Sequence, residues 1–130
     1  MVIYVDTSAA VKTIVDEAES AALTEVLAGA LDGGDVLIAS WLLHTELHCA
    51  AARHPEAVSS AAVNTTLSTL DLVDLTRADL VTAGGLGGRL RSHDAIHLAV
   101  AIRVGADAMA TYDAQLAAAA TAAGMALIQP

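Results

Sequence analysis

Residues 2–8, Val-Ile-Tyr-Val-Asp-Thr-Ser, constrain the fold of this chain more than any other stretch. Val2–Val5 are β-branched or aromatic and show no polar alternation, the pattern of a short strand covered on both faces. Strands of that kind belong to parallel sheets flanked by helices. The run stops at Asp6, and from Thr7, Ser8 and Ala9 onward the composition turns helical. Asp6 therefore ends a buried strand, at the sheet edge where open α/β folds bind ligands. Asp, Thr and Ser also cap helices well, so Asp6 alone leaves a capping and a functional role open.

The same alternation continues along the chain. Helices are expected over Ala9–Val15 and Glu19–Leu31, followed by a turn at Asp32-Gly33-Gly34-Asp35. Val36–Ala39 reads as a second strand, and Ser40 as the cap of a helix from Trp41 to Arg53 that His54-Pro55 breaks. Glu56–Leu67 reads as helix and Leu70–Leu75 as an edge strand, since Asp71 and Asp74 interrupt it. Thr76 caps a helix to Ala83, and a loop with Gly84, Gly85, Gly87 and Gly88 follows. A helix from Ser92 to Val104 ends at Gly105, which suits a C-cap. Ala108–Thr111 reads as strand. Asp113 opens an Ala-rich helix to Ala123, and Ala126–Ile128 forms a last strand. Strands alternating with helices predict an α/β fold, a parallel sheet with right-handed crossovers. Residues 1–130 are expected to form a single domain.

Charge narrows the chemistry. A formal net charge of -9 rules out holding nucleic acid by overall field, so RNA contact would need a metal or a local basic patch. A basic partner is the other implication. The single cysteine, Cys49, allows no internal disulfide and points to a reducing compartment. No apolar run approaches the ~20 residues of a membrane helix, and no basic segment precedes the first apolar run, as a signal peptide requires. A cytoplasmic protein with no membrane partner is expected.

Four acids sit where solvated surface charge is not expected. Asp6 ends the first strand, Glu46 lies inside the apolar helix Trp41–Arg53, Asp94 opens the apolar helix Ala95–Ala101, and Asp113 follows the fourth strand. Glu46 is mid-helix and caps nothing. If strands one and four are neighbours, Asp6 and Asp113 meet where strand order reverses. Clustered carboxylates repel unless a cation lies between them, so each is expected to raise the pKa of the others. Oxygen-only ligands select Mg²⁺ or Mn²⁺ over zinc, and such an ion activates water and neutralises a phosphodiester.

Asp6-Thr7-Ser8, Glu46, the segment Ser92-His93-Asp94-Ala95-Ile96-His97-Leu98-Ala99-Val100-Ala101, and Thr111-Tyr112-Asp113 resemble the four acidic motifs of PIN-domain ribonucleases. Size and motif spacing are similar to the single-domain VapC toxins of bacterial toxin–antitoxin modules. The resemblance implies a three-layer α/β/α sandwich with a five-stranded parallel sheet in the order 3-2-1-4-5. It further implies Mg²⁺-dependent (or Mn²⁺-dependent) cleavage of RNA and control by a cognate antitoxin. Asp6, Glu46, Asp94 and Asp113 would then hold the metal as the catalytic acids, with Thr7, Ser8 and Thr111 orienting carboxylates or water. Many members carry a further acid where Ala114 and Gln115 stand here.

Among basic residues, Lys12, Arg89 and Arg91 lie nearest the proposed site and are candidates for RNA phosphate contacts. His44 and His48 share a helix face, but Glu46 lies roughly 200° around the helix from each, so they read as solvated or partner-facing. His97 lies one turn after Asp94 on the same face, within reach of the site, but a structural, hydrogen-bonded histidine is the preferred reading. The apolar helices suggest a homodimer. The competing reading is a non-catalytic PIN-like scaffold or a receiver-like regulatory domain. A receiver wants a phosphorylatable Asp after the third strand and a Lys after the fifth; Thr76-Arg77 and Gln129-Pro130 stand there. A haloacid-dehalogenase-type phosphatase wants an Asp at Ser8.

Overall fold

The computed structural model describes all 130 residues. The chain runs β1 Val2–Val5, α1 Thr7–Ile14, α2 Ser20–Asp32, β2 Val36–Ser40, α3 Trp41–Arg53 and α4 Ser60–Ser68. It continues through β3 Asp71–Val73, α5 Arg77–Gly85, α6 Ser92–Arg103, β4 Ala108–Ala110, α7 Ala114–Ala122 and β5 Ala126–Ile128. The strands form one five-stranded sheet in the order β3-β2-β1-β4-β5, and every pairing is parallel. The central strand β1 lies between β2 and β4, which puts the first and fourth strands side by side.

The two-residue period of the strands divides the core into layers. Ile3, Val5, Leu37, Ala39, Ala108 and Ala110 point to one face, where Leu23, Leu27, Leu43, Leu47 and Val63 of α2, α3 and α4 cover them. Tyr4, Ile38 and Met109 point to the other and meet Leu98 and Val100 of α6 and Leu116 and Ala120 of α7. The result is the helix–sheet–helix sandwich that an all-apolar parallel strand requires. Small alanines on both strands and helices let the layers pack closely without phenylalanine.

Several boundaries differ from the sequence reading: the expected edge strand Leu70–Leu75 shortens to Asp71–Val73, the first helix starts at Thr7 rather than Ala9, and three further differences have a local cause or consequence. The helix expected from Glu56 starts only at Ser60: Ala57 and Val58 donate back to the His54 carbonyl in a turn, and the Ser59 hydroxyl accepts from Ala62 N at 3.1 Å as the cap. Gly84 and Gly85 complete α5 and are not loop residues. β4 stops at Ala110, one residue early, which frees Thr111 for other work. Gly87 and Gly88, with φ of 68° and 71°, adopt the left-handed backbone that glycine tolerates best and turn the chain into the approach to α6.

Candidate active site

The parallel ladder between β1 and β4 extends one step past β1, where Asp6 N donates to Ala110 O at 3.1 Å. That step fixes Asp6 opposite Thr111. The Asp6 side chain is 2% exposed. Its Oδ1 accepts from Ala9 N at 2.9 Å and so caps α1. Ser8 Oγ donates to Oδ1 and Oδ2 at 2.8 and 3.0 Å, and Thr111 Oγ1 donates to Oδ2 at 2.7 Å. The two hydroxyls are themselves held: Ser8 Oγ accepts from Tyr112 N at 2.8 Å and Thr111 Oγ1 from Asp113 N at 3.1 Å. Burial lifts the Asp6 pKa above the ordinary carboxylate value, and these donors only partly offset it.

Glu46 projects from α3, its side chain 21% exposed. Its Oε1 accepts from Thr7 Oγ1 at 2.8 Å and from His97 Nε2 at 2.6 Å. His97, on α6, is fully buried and its Nδ1 lies 2.7 Å from the Tyr4 hydroxyl. Partial burial pushes the Glu46 carboxyl up, but the bonds from His97 and Thr7 outweigh it and hold the pKa below the usual value. The expectation that the acids raise one another's pKa is therefore corrected. Asp6 is raised chiefly by burial, and Glu46 moves the other way because donors surround it.

Asp94 lies in the first turn of α6 and is 4% exposed. Asp113 caps α7, its Oδ1 accepting from Leu116 N at 2.8 Å. One guanidinium spans the two acids: Arg91 Nε is 3.4 Å from Asp94 Oδ2, and an Arg91 terminal nitrogen is 3.3 Å from Asp113 Oδ2. Arg91 is the N-cap residue of α6 but makes no side-chain capping bond, so its head is free to lie there, 68% exposed. His93 Nε2 adds a contact at 3.4 Å to Asp94 Oδ1.

The structure thus joins Thr7 to Glu46, Ser8 and Thr111 to Asp6, and Arg91 to Asp94 and Asp113. Lys12 is not joined to these acids. It pairs with Glu17 and Glu19 at 2.8 and 3.0 Å and lies 4.6 Å over the Tyr112 ring. Arg89 is exposed in the glycine loop. His44 lies between Trp41 and His48 in tilted ring contacts, with centroids 5.0 and 4.5 Å away, on a different face of α3 from Glu46. Tyr4 and the atomic role of His97 escaped the sequence reading. A phenol inside an otherwise aliphatic strand, and a histidine at i+3 from Asp94, were the available signals.

The donor chemistry of the quartet fits a hard divalent ion, being carboxylate oxygen throughout. In this conformation no three acidic, histidine or cysteine side chains converge as a metal-holding group, and Arg91 occupies the cationic place between Asp94 and Asp113.

The PIN-domain sequence profile matches residues 3–122. Ribonuclease VapC46 of Mycobacterium tuberculosis is 39% identical over 98% of this chain and 97% of its own length. The chain belongs to the PIN-domain family, among the VapC ribonucleases. Ribonuclease VapC47 of the same species is 34% identical over 88% of this chain and 86% of its own. Two solved structures share the VapC-family fold at low identity. A chain of the VapBC2 complex of Rickettsia felis, solved on a promoter DNA fragment, superposes with a TM-score of 0.78 at 15% identity, covering 98% of each chain. VapC20 of M. tuberculosis, a toxin that cleaves the sarcin–ricin loop, does so with 0.73 at 17%, covering 98% of this chain and 99% of that one.

Proposed function

We propose that this VapC-family PIN domain is a divalent-metal-dependent endoribonuclease and the toxin of a toxin–antitoxin pair. The observation that carries this reading is the placement of Asp6, Asp94 and Asp113, from three separate elements, along one network at the carboxyl edge of the sheet, through Thr111 and Arg91, with Glu46 held beside it by Thr7, the neighbour of Asp6. Asp6, Glu46, Asp94 and Asp113 would hold Mg²⁺ or Mn²⁺. A bound ion of this kind supplies an activated water and neutralises charge on the phosphodiester. Glu46 is held by fixed donors on one oxygen, so its other oxygen needs no reorganisation. Arg91, exposed and anchored only by long contacts, would leave the acids and offer its guanidinium to an RNA phosphate.

Two partners are part of the proposal. An acidic cleft in a chain of net charge -9 suits a basic antitoxin segment, since arginine pairs bidentately with carboxylates. Leu80 and Val81 of α5 and Ile102 of α6 are 49%, 72% and 42% exposed and offer an apolar face to a second copy. No helix is long and apolar enough to cross a membrane.

The test is cleavage of labelled RNA in Mg²⁺ and in chelator, with Asp94→Asn beside wild type. Chelator or the substitution should lower the rate by about 10²-fold or more, with the fold unchanged by circular dichroism. Cleavage that survives chelator, or full activity in Asp94→Asn, would overturn the nuclease reading.

A further inference from the structure

We propose that a fully internal relay, running from Ser40 N–H through the Tyr4 hydroxyl and the His97 imidazole, locks Glu46 with Oε1 turned inward and Oε2 presented to the metal, so that His97 and Tyr4 are positioning residues of the nuclease. The proposal rests on the reading of Glu46 as a metal-holding acid.

One assignment of donors and acceptors satisfies the whole chain of bonds. Ser40 N, a backbone amide, can only donate, and it donates to the Tyr4 oxygen at 3.2 Å. Tyr4 is fully buried, and its hydroxyl makes its shortest contact with His97 Nδ1, at 2.7 Å. With His97 Nδ1 accepting from Tyr4, the ring proton belongs on Nε2. From there it points at Glu46 Oε1, 2.6 Å away. The Thr7 hydroxyl donates to the same oxygen at 2.8 Å. Glu46 Oε2 has no protein partner, and no buried side-chain oxygen in the protein is left unpaired, so Oε2 opens to solvent.

This division of labour is what a metal-holding carboxylate needs. One oxygen fixes the plane of the group, and the other keeps its lone pairs for the ion. His97 itself has no exposed surface and cannot touch RNA, so its influence passes through Glu46. The relay also spans layers. Tyr4 belongs to β1, Ser40 caps α3, and His97 sits one turn after Asp94 on α6. A shift of α6 against the sheet would move Asp94 and unlock Glu46 together.

The experiment measures Mn²⁺ binding by calorimetry, and steady-state RNA cleavage, for wild type, His97→Leu, His97→Gln, Tyr4→Phe and Glu46→Gln, each checked by thermal melting. Glutamine can place its amide nitrogen near the Nε2 position and its oxygen toward Tyr4. His97→Leu should weaken Mn²⁺ binding about 10-fold or more and lower kcat with little change in KM, while His97→Gln recovers most of the loss. Tyr4→Phe should fall between them. In wild type, nitrogen-15 spectra should show His97 protonated on Nε2 and bare on Nδ1, a result available even if a variant fails to fold. The reverse tautomer overturns the proposal, as does a folded His97→Leu that binds Mn²⁺ like wild type. If Glu46→Gln abolishes binding while His97→Leu does not, the relay fails and the acid assignment stands. If Glu46→Gln binds as wild type does, both fall.

Discussion

Asp6 fills the capping role that its place in the sequence left open, and its side chain is held by more than the cap requires. Its Oδ1 caps α1, and both oxygens receive side-chain hydroxyls. Ser8 was legible as a partner because it is close in sequence, whereas the Thr7 hydroxyl serves Glu46, 39 residues away. The relay behind Glu46 was not legible, because it depends on a strand and a helix 93 residues apart. Burial raises the Asp6 pKa, and the sign of the consequence follows. The cost of ionising Asp6 is absent below its unfolded value of ~3.9 and grows as pH rises through the folded value. Asp6→Asn should therefore melt no lower than wild type at pH 7 without metal, with its relative advantage shrinking toward pH 4, while cleavage is lost. Melts across that range decide it; a mutant several degrees less stable at pH 7 would mean that the cap outweighs the buried charge. Arg91 allows a second test. Exposed ion pairs contribute about 0–1 kcal/mol, so Arg91→Gln should tighten Mn²⁺ binding by up to about fivefold and weaken RNA binding. Unchanged metal affinity would show that Arg91 does not compete for the acids.

At the scale of elements, α6 matters most, because it carries Asp94 and His97. Its far end is held by a clip to α5. Arg103 donates to both oxygens of Asp79 at 2.8 and 3.0 Å and to the Asp74 carbonyl at 2.8 Å. Asp79 also closes a capping box with Thr76. The Arg103 bond, against some opposing burial, holds the Asp79 pKa below its usual value, so this stabilisation is present above ~3.9 and lost as pH falls through the folded value. Asp79→Ala should cost about 1–3 kcal/mol, from a lost cap and lost charged hydrogen bonds. Arg103→Ala should cost less, because its partly exposed head exchanges the pair for water. A double-mutant cycle by denaturant unfolding measures the coupling; additive costs would mean that the clip is not a unit. The Thr76-x-x-Asp79 spacing was readable as a capping box, but Arg103 was not. Element types were likewise readable from apolar periodicity, whereas the start of α4 was set by the Ser59 cap, a local bond that competed with the helical composition of residues 56–58.

For the whole molecule, composition and alternation pointed to a parallel α/β sheet, but periodicity does not order strands. The order β3-β2-β1-β4-β5 was available only from the resemblance carried by the acidic motifs. Net charge acts at this scale too. If the quartet holds an ion in the native state alone, Mg²⁺ at about 100 times its Kd should stabilise the fold by about 2.7 kcal/mol, whereas NaCl at matched ionic strength should raise the melting temperature far less. Equal shifts would mean that Mg²⁺ only screens the surface. The topology has a last consequence, in time. Asp6 and the hydroxyl of Thr111 are separated by 105 residues, and β1 waits for β4 to complete its pairing. At about 5–20 residues per second, a nascent chain carries its first acid for about 5–20 s before the residue that orients it has been made. A ribosome making this nuclease is thus spared its product until synthesis is almost over.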